Sequence, residues 1–139
     1  MELHLFRPQL RLSFERLVAS ARAAEAAGFR GIAGMDHLVP SGAEGQPMYE
    51  ATVVSTWLAA HTERLAVGSL VLCDAFRHPA VLAREAVSLD HASGGRVELG
   101  RLGDRGVERV YTWFCDFAPP DTLAAFGAEV ISPLVTEAV

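Results

Sequence analysis

Asp36 and His37 stand side by side directly after a short apolar stretch, Gly31–Met35, that reads as a strand. An imidazole beside a carboxylate suits general acid–base work: the carboxylate holds one tautomer, and the ring changes charge near neutral pH. The plain alternative is a turn in which the Asp caps and the His faces solvent. Cys73 closes a second apolar stretch, Leu70-Val71-Leu72-Cys73, with Arg77 and His78 close behind. Nearby cations favour a thiolate nucleophile, but a small residue closing a strand is the stronger reading of Cys73. His78-Pro79 reads as a loop-to-helix junction, with proline in the first turn. His4 and His61 read as structural or solvated. A metal site would have to be drawn from His4, Asp36, His37 and Glu98, and no i, i+4 ligand pair supports one, so no metal is expected. Gly94-Gly95-Arg96 lacks the G-x-G-x-x-G spacing and precedes a strand, which fails the condition for a phosphate loop. Arg96 is therefore expected in a structural ion pair. All 12 basic residues are arginine, so lysine chemistry, whether Schiff base or P-loop, is excluded.

These groups are carried by alternating strand and helix signals. Leu3–Phe6 reads as a strand. Ser13 is an N-cap for a helix running to about Ala27, with Phe14, Leu17, Val18, Ala21 and Ala24 on one stripe and Gly28 after its end. Gly31–Met35 is the second strand, and a long loop follows from Leu38 to about Gln46. Pro47 is expected to open a second helix, ending near His61. Leu65–Cys73 is the strongest strand, with the unbroken apolar character of a parallel strand buried on both faces. Pro79 starts a helix to about His91. Val97–Leu99 and Val107–Phe114 are further strands, and Asp121–Val135 a last helix. Trp57, Trp113 and Phe114 read as core aromatics, with Trp113 or Phe114 a candidate pocket wall. Strands alternating with helices imply parallel βαβ units, in either an open doubly wound sheet or part of a (βα)8 barrel. Five strands is the arithmetic limit, since a full barrel takes about 250 residues.

The chain has 139 residues, 50% hydrophobic and 21% charged, which fits one globular domain and excludes disorder. The net charge of −5 argues against nucleic acid. No apolar run approaches the roughly 20 residues of a membrane span. With two cysteines and no signal-like start, a reduced, cytoplasmic setting is expected.

From Ala23 to Gly100 the sequence resembles the luciferase-like family of flavin- or deazaflavin-dependent monooxygenases and oxidoreductases. The matching stretches are Ala24-Glu25-Ala26-Ala27-Gly28-Phe29, Asp36-His37, Gln46-Pro47, His61 through Gly68, His78 through Ala83, and Leu89 through Gly100. Gly106 through Pro133 is similar to the family's closing strand and helix. Residues 1–100 thus correspond to the family's N-terminal half and 106–139 to its end, within one domain. The resemblance implies a partial TIM-barrel fold of about five mostly parallel strands, lacking a middle section of three strands at about Arg101–Arg105. Much of the family's cofactor phosphate site lies in that section, so the resemblance also implies that a second chain completes the pocket.

In a barrel the active face lies at the C-terminal ends of the strands. The resemblance makes His37 the polar group near the flavin's reactive edge or the substrate, with Asp36 orienting it or touching the cofactor. Leu70, Val71, Leu72 and Cys73 become the wall against the ring, with a non-prolyl cis peptide implied at Leu70–Val71. The cofactor implied is FMN or a deazaflavin, and the activity an oxidoreductase or monooxygenase reaction on a small organic substrate. The alternative function is a non-catalytic remnant serving as a binding or oligomerisation module. Unpaired strand edges invite association, so a homodimer is expected. As the closing strand of a barrel, Val107–Phe114 is expected beside Leu3–Phe6; the short Arg101–Arg105 connection cannot make a parallel crossover to the preceding strand, so the two are antiparallel, sit apart or belong to different subunits.

Overall fold

In the computed structural model, which describes residues 2–39, 43, 45–99, 109–112 and 119–132, the strand signals become one parallel sheet. The elements are β1 (Glu2–Phe6), α1 (Phe14–Ala26), β2 (Gly31–Gly34), α2 (Ala51–His61), β3 (Ala66–Ser69), α3 (Pro79–Ser93), β4 (Val97–Leu99), β5 (Arg109–Thr112) and α4 (Pro120–Phe126). A short 3-10 turn, Asp74–Phe76, lies between β3 and α3, and α4 widens into a π-helical turn over Gly127–Ile131. The strand order is β4-β3-β2-β1-β5, with every pairing parallel. β5 lies beside β1 in the register Glu2↔Arg109 to Leu5↔Thr112, as expected of a closing barrel strand. β4 and β5, neighbours in sequence, form opposite edges of the sheet. No helix among the described residues is long and apolar enough to cross a membrane.

Side chains alternate between the two sheet faces. Leu3, Leu5, Ile32 and Val67 pack with Leu17, Ala21, Ala24, Val54, Leu58 and Leu89 of the helices into one core. The opposite face carries His4, Gly31, Ala66, Gly68 and Glu98. There His4 Nδ1 lies 3.2 Å from Glu98 Oε2. β1 and β4 are three strand intervals apart, roughly 14 Å in a flat sheet. Two side chains meeting across that span require a curled sheet with this face concave. Glycine makes the curl possible: a Cβ on Gly31 would strike the His4 ring, and one on Gly68 the Glu98 carbonyl oxygen. The architecture is a partial TIM barrel.

The element boundaries follow local chemistry. α1 starts after Ser13, whose hydroxyl accepts from the Arg16 amide. Pro47 does not open α2. The Pro47 carbonyl accepts from Arg11, Met48 bridges Leu10, and the Tyr49 carbonyl accepts from Gln9. Those groups are committed to tertiary partners, so the helix begins at Ala51 behind the Glu50 cap. β3 ends at Ser69 rather than at Cys73. α4 gives way to the π-helical turn at Gly127, where a Cβ would meet the carbonyl of Ala27, the residue that caps the end of α1. The expected ends of β5 at Val107 and Phe114, and of the last helix at Val135, lie outside the described residues.

Candidate functional site

β2 and β3 are adjacent, and their C-terminal ends deliver the two stretches singled out in the sequence. Asp36 and His37 follow β2; Leu70, Val71, Leu72 and Cys73 follow β3. The Leu70–Val71 peptide is cis. The link between the stretches is direct: the Cys73 amide donates to Asp36 Oδ2 at 2.8 Å. Arg77 grips the same carboxylate with two parallel hydrogen bonds, Nη1 to Oδ2 at 2.6 Å and Nη2 to Oδ1 at 3.0 Å. Arg77 Nη2 also donates to Glu50 Oε1 at 2.8 Å, and its Nε lies 3.9 Å from Glu85 Oε2 on α3. Glu50 uses its other oxygen to cap α2, accepting from the Val53 amide at 2.7 Å. One guanidinium thus joins the end of β2, the start of α2, the turn after β3 and the body of α3.

Asp36 is buried, and burial pushes its pKa up. Hydrogen bonds from Arg77 and the Cys73 amide, with the charges of Arg77 and His37, more than reverse that and hold the carboxyl below its ordinary range. Arg77 is raised above its ordinary value, chiefly by its hydrogen bonds to Asp36, against the opposing effect of burial. A second clamp holds the residue before Asp36. Gln9, fully buried, donates from Nε2 to the Met35 carbonyl at 2.6 Å and the Tyr49 carbonyl at 3.0 Å, and its Oε1 accepts from the Met35 amide at 3.0 Å.

His37 is exposed, and among the described residues its ring has no hydrogen bond to Asp36, whose oxygens are taken by Arg77 and Cys73. The two stretches and the turn after them also carry exposed apolar side chains: Leu38 at 74%, Val39 and Val71 at 59% and Phe76 at 41%. Cys73 is a free, half-buried thiol. A cavity lined by Thr52, Ser55, Ser69, Leu72, Leu82 and Glu85 lies between the sheet and helices α2 and α3, and His37 is not part of it.

The other polar residues of the sequence resolve as follows. His78 caps α3, its Nδ1 accepting from the Ala80 amide. His61 bonds the Trp57 carbonyl and packs against the Trp57 ring, 4.4 Å between centroids with the planes tilted by 36°. Trp57 is a surface residue, 45% exposed, not a core aromatic. Arg96 makes no ion pair among the described residues; it donates to the Ala59, Leu65 and Ser93 carbonyls and to Thr62 Oγ1. Three of those four groups belong to α2's C-terminal end and the turn beyond it, where orphan carbonyls attract a cation. At the same end of the sheet the Glu25 carboxylate accepts from the Glu63, Arg64 and Leu65 amides. Burial raises the Glu25 pKa, and those amides with the Arg64 charge bring it below its ordinary value. His4 and Glu98 do meet, with Glu2, their ligand-type atoms lying within 4.8 Å of one another. Asp36 is not in that group: it follows the C-terminal end of β2, whereas His4 pairs with Gly31 at the strand's start. Trp113, Phe114 and Cys115 lie outside the described residues.

The family model described as luciferase-like monooxygenase matches residues 2–131. An F420-dependent hydroxymycolic acid dehydrogenase of Mycobacterium tuberculosis is 40% identical over 101 residues, covering 70% of this chain and 28% of that protein. A solved F420-dependent secondary alcohol dehydrogenase, in complex with an F420-acetone adduct, superposes with a TM-score of 0.65 at 20% identity, over 70% of this chain and 30% of its own. Monooxygenase RslO1 from Streptomyces bottropensis superposes with a TM-score of 0.61 at 23% identity, over 71% of this chain and 32% of its own. At those identities the solved structures share the fold, and this chain spans less than a third of the curated relative's length. With the family model running from β1 through α4, the chain belongs to the luciferase-like monooxygenase family.

Proposed function

We propose that the chain acts in deazaflavin-dependent oxidoreduction of a small organic substrate, with the ends of β2 and β3 as the ring site. The observation that carries this reading is the Asp36–Cys73 hydrogen bond of 2.8 Å, which binds the His37 segment to the Leu70–Cys73 segment. The residues present fit a flat aromatic group: the strand-end stretches that carry the exposed His37 also carry Val71, Leu38 and Phe76 as exposed apolar surface. Leu70, Val71, Leu72 and Cys73 would hold the ring. The F420-dependent relative favours a deazaflavin over FMN.

A deazaflavin bound there supplies the hydride chemistry. The chain's own contribution is orientation and proton management. His37 takes up or releases the proton at the substrate oxygen, as its position on the strand-end face allows. Asp36 keeps a negative charge beside that imidazole and fixes the backbone that carries it, because Arg77 and the Cys73 amide hold its carboxylate still. The apolar rim excludes water from the reacting groups once a ligand covers it.

The experiment is a fluorescence titration of the chain with the deazaflavin coenzyme, with FMN run in parallel, followed by turnover of the loaded protein. Deazaflavin binding in the micromolar range, and a His37→Ala variant that folds but loses on the order of 10²–10⁴ in turnover, are expected. Binding of neither cofactor below about 1 mM, a binding free energy of only about 4 kcal/mol, would overturn the reading for this chain on its own. A second reading, a non-catalytic binding or oligomerisation module, is favoured by the sheet edges that β4 and β5 form among the described residues. On that reading His37→Ala is silent.

A further inference from the structure

We infer that Arg77 is the positioning residue of the strand-end site, fixing His37 and the Leu70–Cys73 wall relative to one another by clamping Asp36, Glu50 and the turn after β3 through one guanidinium. The inference rests on the reading of those strand ends as the ring site and assigns what holds that site in shape.

Three observations carry it. First, the partners are far apart in sequence: Asp36 is 41 residues from Arg77 and Glu50 is 27 away, so the guanidinium ties segments that nothing local holds together. Second, the geometry is bidentate on Asp36 and shared with Glu50, which uses the planar fork of arginine and cannot be copied by a single ammonium. Third, Asp36 is the residue next to His37, and its Oδ2 is also the acceptor for the Cys73 amide. Loosening Arg77 therefore frees both stretches of the candidate site at once, while the sheet is held by its own ladder and by the Gln9 and Arg96 clamps.

The His37 imidazole has neither a hydrogen bond to Asp36 nor a buried surface to settle it, so its placement comes from its backbone. That backbone is fixed through the two residues before it, by Gln9 at Met35 and by Arg77 at Asp36. A residue with only a stability role would raise exchange everywhere when changed; a positioning residue changes the site first.

The test uses Arg77→Lys in the full chain, read three ways. Amide hydrogen exchange at Cys73 and across residues 36–38 and 70–76 is expected to rise by roughly tenfold or more, while amides of β1–β3 keep their protection. The His37 ring resonances are expected to shift while those of His4, His61 and His91 stay in place. Deazaflavin coenzyme affinity is expected to fall by roughly tenfold or more, the scale of one charge-assisted hydrogen bond. Asp36→Asn should give the same pattern, and the double variant should be no worse than the more affected single one. Should Arg77→Lys fail to fold, Glu50→Gln, which keeps an oxygen for the α2 cap, carries the test with the same local pattern at smaller size. Exchange that rises uniformly along the chain, or an unmoved His37 signal with an unchanged Cys73 amide, would overturn the inference. If wild-type chain binds no coenzyme, the ring-site reading fails, and the exchange and His37 signals still decide whether Arg77 positions this face.

Discussion

Asp36 has both carboxylate oxygens engaged, by Arg77 at 2.6 and 3.0 Å and by the Cys73 amide at 2.8 Å. Its folded pKa lies below the unfolded value of about 3.9. The stabilisation is therefore complete above that pH and is lost as pH falls through the folded value. Asp36→Asn should cost roughly 3 kcal/mol at neutral pH, because it leaves the mostly buried Arg77 charge without its main partner. Below about pH 4 the loss of stability with falling pH should be shallower in the variant than in the wild type. Urea unfolding at a series of pH values checks both, and identical slopes would contradict the assignment. The Asp36-His37 pair itself was legible in the sequence, since two polar residues directly after a strand fall on a predictable face. Its partners were not. Gln9 is an amide with no periodic signature, and Arg77 reads in sequence as a neighbour of Cys73; what engages them is sheet pairing, which brings residues 26 and 41 positions apart together.

Among elements, β3 and β4 approach as closely as they do because Gly68 has no side chain. A Cβ there would meet the Glu98 backbone oxygen, whereas one on Gly94 would meet nothing within 4 Å, although Gly94 is left-handed with φ 72. Gly68→Ala should therefore cost more than about 3 kcal/mol, since backbone must move to admit the methyl. Gly94→Ala should cost only about 1–2 kcal/mol, the strain of a left-handed alanine. Thermal unfolding of the two variants checks the ranking, and equal costs would contradict the close approach. The helix starts at Ser13 and Pro79 were readable because caps and first-turn proline are local signals. The start of α2 was not, because Pro47, Met48 and Tyr49 are held extended by the Gln9–Arg11 segment, a contact that no local pattern announces. Arg96 shows the same limit: its basic charge suggested an ion pair, and the fold uses it on carbonyls at the end of α2 instead.

At the scale of the molecule, the parallel sheet of the described residues has two edges, β4 and β5, where a complete barrel has none. The placement of β5 beside β1 followed from the resemblance to a closing barrel strand, and the short connection excluded only a parallel pairing of β5 with β4. What covers the edges was not readable from one chain. Open edges and a sheet with two faces to cover favour association, so light scattering at micromolar concentration should give about twice the 14.9 kDa chain mass. A steady monomer mass would count against the dimer. The proposed deazaflavin ring site lies at the ends of β2 and β3. Its most direct test is an amide NMR titration of the labelled chain with the deazaflavin coenzyme. Shifts are expected to concentrate at residues 35–39 and 70–77, with the Glu25-anchored amides of Glu63, Arg64 and Leu65 unmoved. No shift up to millimolar coenzyme, or shifts gathered at that opposite end of the sheet, would contradict it.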